Sequence, residues 1–294
     1  MTEHVGSTDQ VVTEYVSETT RVWRNFRRHR LAFGGMITII LLCLLAIVSS
    51  YIVPYDPTEQ NVRNSLASPG PEHWFGTDQW GRDNFSRVVV GSRVSLSVGV
   101  VAVAILISIG VLIGAIAGYN RKLDGPLMRF VDMMMSIPQF FLLLTIVALF
   151  GPSLFMTMLV IGLTGWMGTA RLVRGEFLAL REKEFVEAAR CLGLSGRRII
   201  THHLLPNTLA VIIVQASIYM SQAILIESSL SYLGLGVQPP TPSWGVMLSQ
   251  GKDYMRHGWW GTVYPGLAIF ITVMAFNFLG DGLRDALDPR LRGR

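Results

Sequence analysis

Six apolar segments, each close to the length that crosses a bilayer, constrain this chain more than any other feature. A hydrocarbon core about 30 Å thick takes about 20 apolar residues of α-helix. Inside it every backbone N–H and C=O must be paired, which leaves helices or closed barrels. The segments lie near residues 31–53, 94–119, 130–150, 154–173, 208–228 and 262–280. The third and fourth are separated only by Gly151-Pro152-Ser153, a tight turn that reads as the tip of a hairpin. None shows the period-two alternation of a barrel strand. The expected fold is all-α, a polytopic membrane bundle of about six transmembrane helices. Half the residues are hydrophobic and 15% are charged, which fits that class and excludes an ordinary soluble domain.

Lys and Arg set the orientation, because they are enriched in cytoplasmic loops. With the N-terminus inside, nineteen of them fall in the inner segments and six in the outer ones. Both termini and the 169–207 segment are therefore expected in the cytoplasm. The organisation expected is a tail at 1–30, a first transmembrane helix at 31–53 and an external loop at 54–93. A five-helix core at 94–281 follows, then a tail at 282–294. The first twenty residues are polar, read as disordered, and are too long and polar for a cleavable leader. Trp23 and Phe26 lie among five arginines between Arg21 and Arg30, which suits a basic interfacial segment or a plain positive-inside anchor. The net charge of +5 sits in loops without an aromatic-interleaved face, so nucleic acid is not an expected partner.

One polar stretch between apolar segments carries a pattern of its own. From Glu184 it runs Phe185-Val186-Glu187-Ala188-Ala189-Arg190-Cys191-Leu192-Gly193. Phe185, Ala188, Ala189 and Leu192 recur at spacings of three and four, so a short helix gathers them on one face. Gly193 stands where that helix should stop, since glycine adopts the left-handed cap without steric cost. A small-residue face held out in water by two spans suits a helix-in-groove contact with a soluble partner.

Catalytic signatures are missing. Gly245 to Gly251-Lys252 resembles a phosphate-binding loop only faintly, because the glycine spacing is one residue too long and Asp253 replaces Ser or Thr. His202 and His203 are adjacent and point about 100° apart on a helix, so no metal site is expected. No nucleophile elbow or triad is present. Cys43 in a span and Cys191 in the polar stretch are too far apart to pair.

Glu187-Ala188-Ala189, then Gly193 after three further residues, then Leu205-Pro206 past a basic run, resembles the EAA loop of ABC importer permeases. Where that family often has an aliphatic residue two places before Leu-Pro, this chain has His203, which is similar to the oligopeptide/dipeptide/nickel branch. Phe75-Gly76-Thr77-Asp78, Gly81-Arg82-Asp83 and Ser86-Arg87 resemble that branch's external signature. Leu230-Ser231-Tyr232-Leu233-Gly234-Leu235-Gly236 and Asn277-Phe278-Leu279-Gly280-Asp281-Gly282 extend the likeness over nearly the whole chain, and the type is that of the dipeptide "C" permease. The resemblance implies a bacterial or archaeal cytoplasmic membrane protein that pairs with a second permease as a heterodimer. It implies two ATPase subunits carrying ATP and Mg, an external substrate-binding protein, and no cofactor or catalysis on this chain. Glu184, Phe185, Glu187, Ala188, Ala189, Leu192 and Gly193 would be its ATPase-coupling residues. Peptides are the favoured substrate, with nickel, opines, glutathione and oligosaccharides open. A secondary transporter or channel-type subunit is the alternative class, and it leaves the 184–193 helix unexplained.

Polar groups inside a bilayer are expensive and carry functional expectations. Glu227, Ser228, Gln222 and Asn277 are the candidate translocation-path residues, with Asn277 also suited to hydrogen bonding between helices. For Glu227 the competing reading is a carboxylate solvated at the outer mouth or paired with the second permease. Asp132 is expected to form an interfacial ion pair or cap, and Pro138 to kink the third span. Asp78, Arg82, Asp83 and Arg87 read either as a surface salt-bridge cluster or as a docking face. Trp244, Trp259 and Trp260 are expected at the headgroup level.

Overall fold

The computed structural model describes residues 23–24 and 26–287. The polar first twenty residues lie outside that range. Arg30–Ile52 (α1) follows an N-cap in which His29 Nδ1 accepts from the Ala32 N–H. Leu41, Leu44 and Ile47 on its outer face are about half exposed or more, the composition expected of a lipid-facing surface. Its inner face lies on the last helix, close enough that a Cβ on Gly35 would stand 2.6 Å from the Ala275 carbonyl oxygen.

Asn84–Tyr119 (α2) has 36 residues. At 1.5 Å per residue it is about 54 Å long, well beyond the ~30 Å hydrocarbon core. It begins ten residues before the expected span because Asp83 caps it, accepting from the Ser86 N–H at 2.7 Å. Along it Gly110, Gly114 and Gly118 form a small-residue stripe. Added Cβ atoms there would stand 2.5 Å from Thr169 Cβ, the Ala170 carbonyl oxygen and Phe177 Cβ respectively. That stripe lets Leu154–Leu180 (α5) pack backbone to backbone against α2, the close approach small residues permit in membranes.

The third span is broken. Arg121–Met135 (α3) and Gln139–Phe150 (α4) meet at 77°, with Ser136, Ile137 and Pro138 at the break. Pro138 favours this, since its ring disfavours helical geometry at the residue before it. Arg174 holds α3 to α5 through two bonds to Asp124, and Asp132 pairs with Arg171. Gly151, at φ +87, and Ser153, which caps α5 at the Met156 N–H, make the short connection to α5.

Next come Glu184–Cys191 (α6) and Gly196–Ile199 (α7). A π turn at Ile200–Leu204 leads into Leu205–Tyr232 (α8), and Trp244–Gly251 (α9) and Trp260–Leu287 (α10) complete the chain. Among the described residues five helices are long and apolar enough to cross a membrane, six when the bent pair counts as one span. Among the described residues no strand forms beyond one isolated bridge, Thr77 to Asp83. The core is built around α2, α5 and α8, with Leu106, Ile161, Ile224 and Trp244 all almost fully enclosed.

Candidate functional site

At one end of the bundle α6 stands proud of the spans. Glu184 and Glu187 lie in its first turn, where negative charge opposes the positive end of the helix dipole. Gly193 closes the helix at φ +73, and the Leu194 N–H reaches back to the Ala189 carbonyl at 3.1 Å, a Schellman-type stop. Phe185 is 41% exposed and Leu192 is 80% exposed, with Ala188 and Glu187 exposed between them. Ala189 departs from expectation: it is buried and faces the chain rather than the open side. Together with Val186 it packs into a cluster with Val173, Phe177, Ile199 and Leu204. The helix therefore has a small core of its own behind it. A free face of Phe185, Ala188 and Leu192 is held on a rigid mount.

Near the opposite end, Glu227 is fully enclosed. Its Oε1 accepts from Ser231 at 2.8 Å and Ser243 at 2.9 Å, and its Oε2 from Ser95 and Ser228 at 3.3 Å. Three of these hydroxyl oxygens accept backbone N–H groups in turn: Ser231 from Val237, Ser243 from Val246 and Ser95 from Trp244. With the oxygens engaged, the hydroxyl protons point at the carboxylate. The donors come from α2, α8 and the α9 cap, so one side chain ties three elements together. Glu227 consequently lines no open path within this chain and is not solvated at a mouth, whereas Ser228 also borders a cavity of about 400 Å³ between α8, α9 and α10. Asn277 joins α10 to α8 by accepting from the Ser221 hydroxyl at 3.0 Å. Of the four path candidates, only Gln222 stands on the exposed side of its helix.

Above Glu227, the segment between α1 and α2 folds over the bundle end. Asp78 Oδ2 accepts from Arg82 Nε at 2.6 Å and Arg87 Nη1 at 3.1 Å. Gln250 Oε1 then accepts from both guanidinium groups, at 3.0 and 2.8 Å. Asp78, Arg82 and Arg87 form a buried network, and Asp83 is held beside it by His73 and Ser86; all four are at most 4% exposed, so they make neither a surface cluster nor a docking face. Gly81 adopts φ +71 where a Cβ would collide with the Asn61 backbone. Tyr254 lies beside this network, and burial, reinforced by the Asp78 charge, pushes its phenol up to about 12. Trp244 and Trp260 are buried rather than interfacial, donating to the Val88 and Thr77 carbonyls, whereas Trp259 stays half exposed. Among the described residues, no group of three or more His, Cys, Asp or Glu could hold a metal ion.

Residues 110–293 match the family described as binding-protein-dependent transport system inner membrane component, and residues 17–69 match the N-terminal transmembrane domain of oligopeptide transport permease C. The dipeptide transport system permease protein DppC of Bacillus subtilis is 40% identical over 97% of this chain and 89% of its own length. The di/tripeptide transport system permease protein DppC of Pseudomonas aeruginosa is 40% identical, covering 95% of this chain and 94% of its own. The oligopeptide transport system permease protein OppC of Haemophilus influenzae is 41% identical over 92% and 88%. Among solved structures, an inward-facing MetNI methionine ABC transporter chain superposes with a TM-score of 0.56 at 20% identity, covering 69% of this chain and 97% of that one, a likeness of fold. A bundle of apolar helices with a mounted, half-exposed α6 is thus matched over nearly its whole length by known permeases, and the chain belongs to the binding-protein-dependent transport system inner membrane component family as a permease subunit of an ABC importer.

Proposed function

We propose that this permease carries di- and oligopeptides across the cytoplasmic membrane as one half of a heterodimer with a second permease. Two ATPase subunits, which bind ATP and Mg, drive it from the cytosol, and an external binding protein delivers the substrate. This chain contributes no catalysis. Both termini and α6 lie in the cytoplasm, and the Asp78–Gln250 network lies outside, in keeping with the bias of Lys and Arg. The peptide names of relatives that align end to end support the substrate class.

The observation that carries the mechanism is the exposed Phe185–Ala188–Leu192 face on a helix backed by Val186 and Ala189. Seated in an ATPase groove, such a face receives a rigid-body push. Because α6 is bedded on α5 and the α7–α8 turn, the push moves those spans instead of bending a loop. Glu184 and Glu187 present charge to the partner, and Gly193 fixes the angle at which the chain turns back. The test is Leu192→Asp in the assembled complex in proteoliposomes, with dipeptide uptake and binding-protein-stimulated ATP hydrolysis both measured. Uptake should fall at least tenfold while the isolated chain inserts and melts as the wild type does. Unchanged uptake would sink the coupling role of α6.

A further inference from the structure

The polar side chains of the membrane region are not spread evenly round the bundle. On the α1 side the exposed residues are Leu41, Leu44 and Ile47, and on α10 Leu267, Phe270 and Ile271. Between α5 and α8 the character changes. Gln215, Tyr219 and Gln222 follow one another at helical spacing on α8, and Gln139 at the start of α4 reaches across to donate to the Thr164 hydroxyl at 3.4 Å. Amides facing lipid would leave donors and acceptors unpaired in hydrocarbon, so this face is built to meet water or a polar solute.

Two cavities lie along it. One of about 450 Å³, walled by α5, α8 and α10, opens at the α6 end and carries both Glu176 and Arg284 on its wall. A second, of about 20 Å³, room for about one water, has Gln139 and Gln222 on a wall otherwise made largely by Leu106, Ile161 and Ala223. Tyr219 borders the small cavity, and its hydroxyl lies against Gly168, where an added Cβ would collide with it. Glycine at 168 is what leaves room for that hydroxyl.

We propose that the groove between α5 and α8 is this subunit's half of the substrate path, and that Tyr219 over Gly168 is its constriction, separating a cytosolic vestibule from a small cavity beside α4 in the membrane. This rests on the importer reading above. Gln139 and Gln222 on the groove wall each offer a donor and an acceptor to the amide groups of a passing peptide. The vestibule suits a zwitterion, since its wall holds a carboxylate and a guanidinium. Gln139, Gln215 and Tyr219 join Gln222 as path residues, and Glu227, Ser228 and Asn277 serve as internal ties.

The test uses the whole complex, with Cys43→Ser and Cys191→Ser in this chain. A single Gln222→Cys is treated with a charged, membrane-impermeant methanethiosulfonate, both at rest and after vanadate trapping. Labelling should differ between the two states by at least fivefold, and Leu44→Cys should label in neither. Gln222→Cys unreactive in both states overturns the proposal, and assigns the groove to contact with the second permease or lipid. Separately, Gly168→Leu should cut uptake of a mixed dipeptide pool at least tenfold while binding-protein-stimulated ATP hydrolysis persists. Normal uptake by Gly168→Leu also overturns it. Labelling reads water access without reference to substrate. If the wild-type complex carries no dipeptide yet labels as described, the peptide assignment fails and the path stands.

Discussion

Glu227→Gln keeps the size of the side chain and removes its charge, and the enclosure of Glu227 lets the consequence be worked out. Four hydroxyls donate to the carboxylate, two at 2.8–2.9 Å and two at 3.3 Å. Hydrogen bonds to a charged group are worth about 1.5–3 kcal/mol and neutral ones about 0.5–1.5, so each short bond weakens by about 1 kcal/mol. The amide NH2 takes one of the two oxygen positions and turns acceptor into donor. At the Oε2 position it faces Ser95, whose oxygen already receives the Trp244 N–H. That opposition adds about 1–3 kcal/mol, for a total near 4 kcal/mol. Ser228→Ala, which removes one long bond, should cost about 1 kcal/mol or less by the same reasoning. Thermal unfolding of the purified complex, followed by tryptophan fluorescence, orders the two variants. The loss should be accompanied by earlier protease cleavage in the 233–243 connection, since Ser243 and Ser231 lose their shared anchor. A Glu227→Gln complex that melts with the wild type and is cleaved no faster would refute the claim that four converging hydroxyls require a carboxylate.

Further outcomes follow from the packing and the buried outer network. Gly114→Ala should destabilise by about 1–3 kcal/mol because its Cβ meets the Ala170 carbonyl oxygen at 2.5 Å, a backbone atom that cannot turn aside. Gly125→Ala, with nothing within 4 Å, should stabilise by about 0.5–1 kcal/mol through helix propensity, and paired melts decide both signs. Gln250→Leu deprives Arg82 and Arg87 of a shared acceptor inside the outer network, at a cost of about 2–4 kcal/mol measured by denaturation in detergent. Tyr254 is held protonated above the ordinary tyrosine value near 10, up to about 12. Between those values the unfolded chain loses this proton first, so stability is full below about pH 10 and falls as pH rises toward 12. Tyr254→Phe should flatten that part of the melting-temperature profile, and a profile unchanged from wild type would refute it.

How far the sequence could be read follows from the range over which each signal acts. Long apolar runs, the proline at 138 and the glycine at 193 act within one turn or one span, and the structure carries each as expected. The face of α6 was half legible. Period alone puts Phe185, Ala188, Ala189 and Leu192 together, but the direction of Ala189 depends on Phe177 and Ile199, which arrive from other helices. The same limit applied to Asp78, Arg82 and Arg87, which read as an exposed charged loop. Gln250, the acceptor that permits their burial, is over 160 residues away.

By itself, then, the sequence determined an all-helical membrane permease, the short 184–191 helix and its glycine stop, and the family, because each rests on local pattern or contiguous motif. Tertiary structure alone decided which polar residues of the membrane region are ties and which face an open groove. Glu227 is caged because Ser95, 132 positions earlier, and Ser243, 16 later, converge on it; Gln139 reaches Thr164 on α5 from the start of α4, and Tyr219 lies against α5 because Gly168 leaves room. A buried charge and a path-lining one look alike in one dimension. Only the positions of their partners in space separate them.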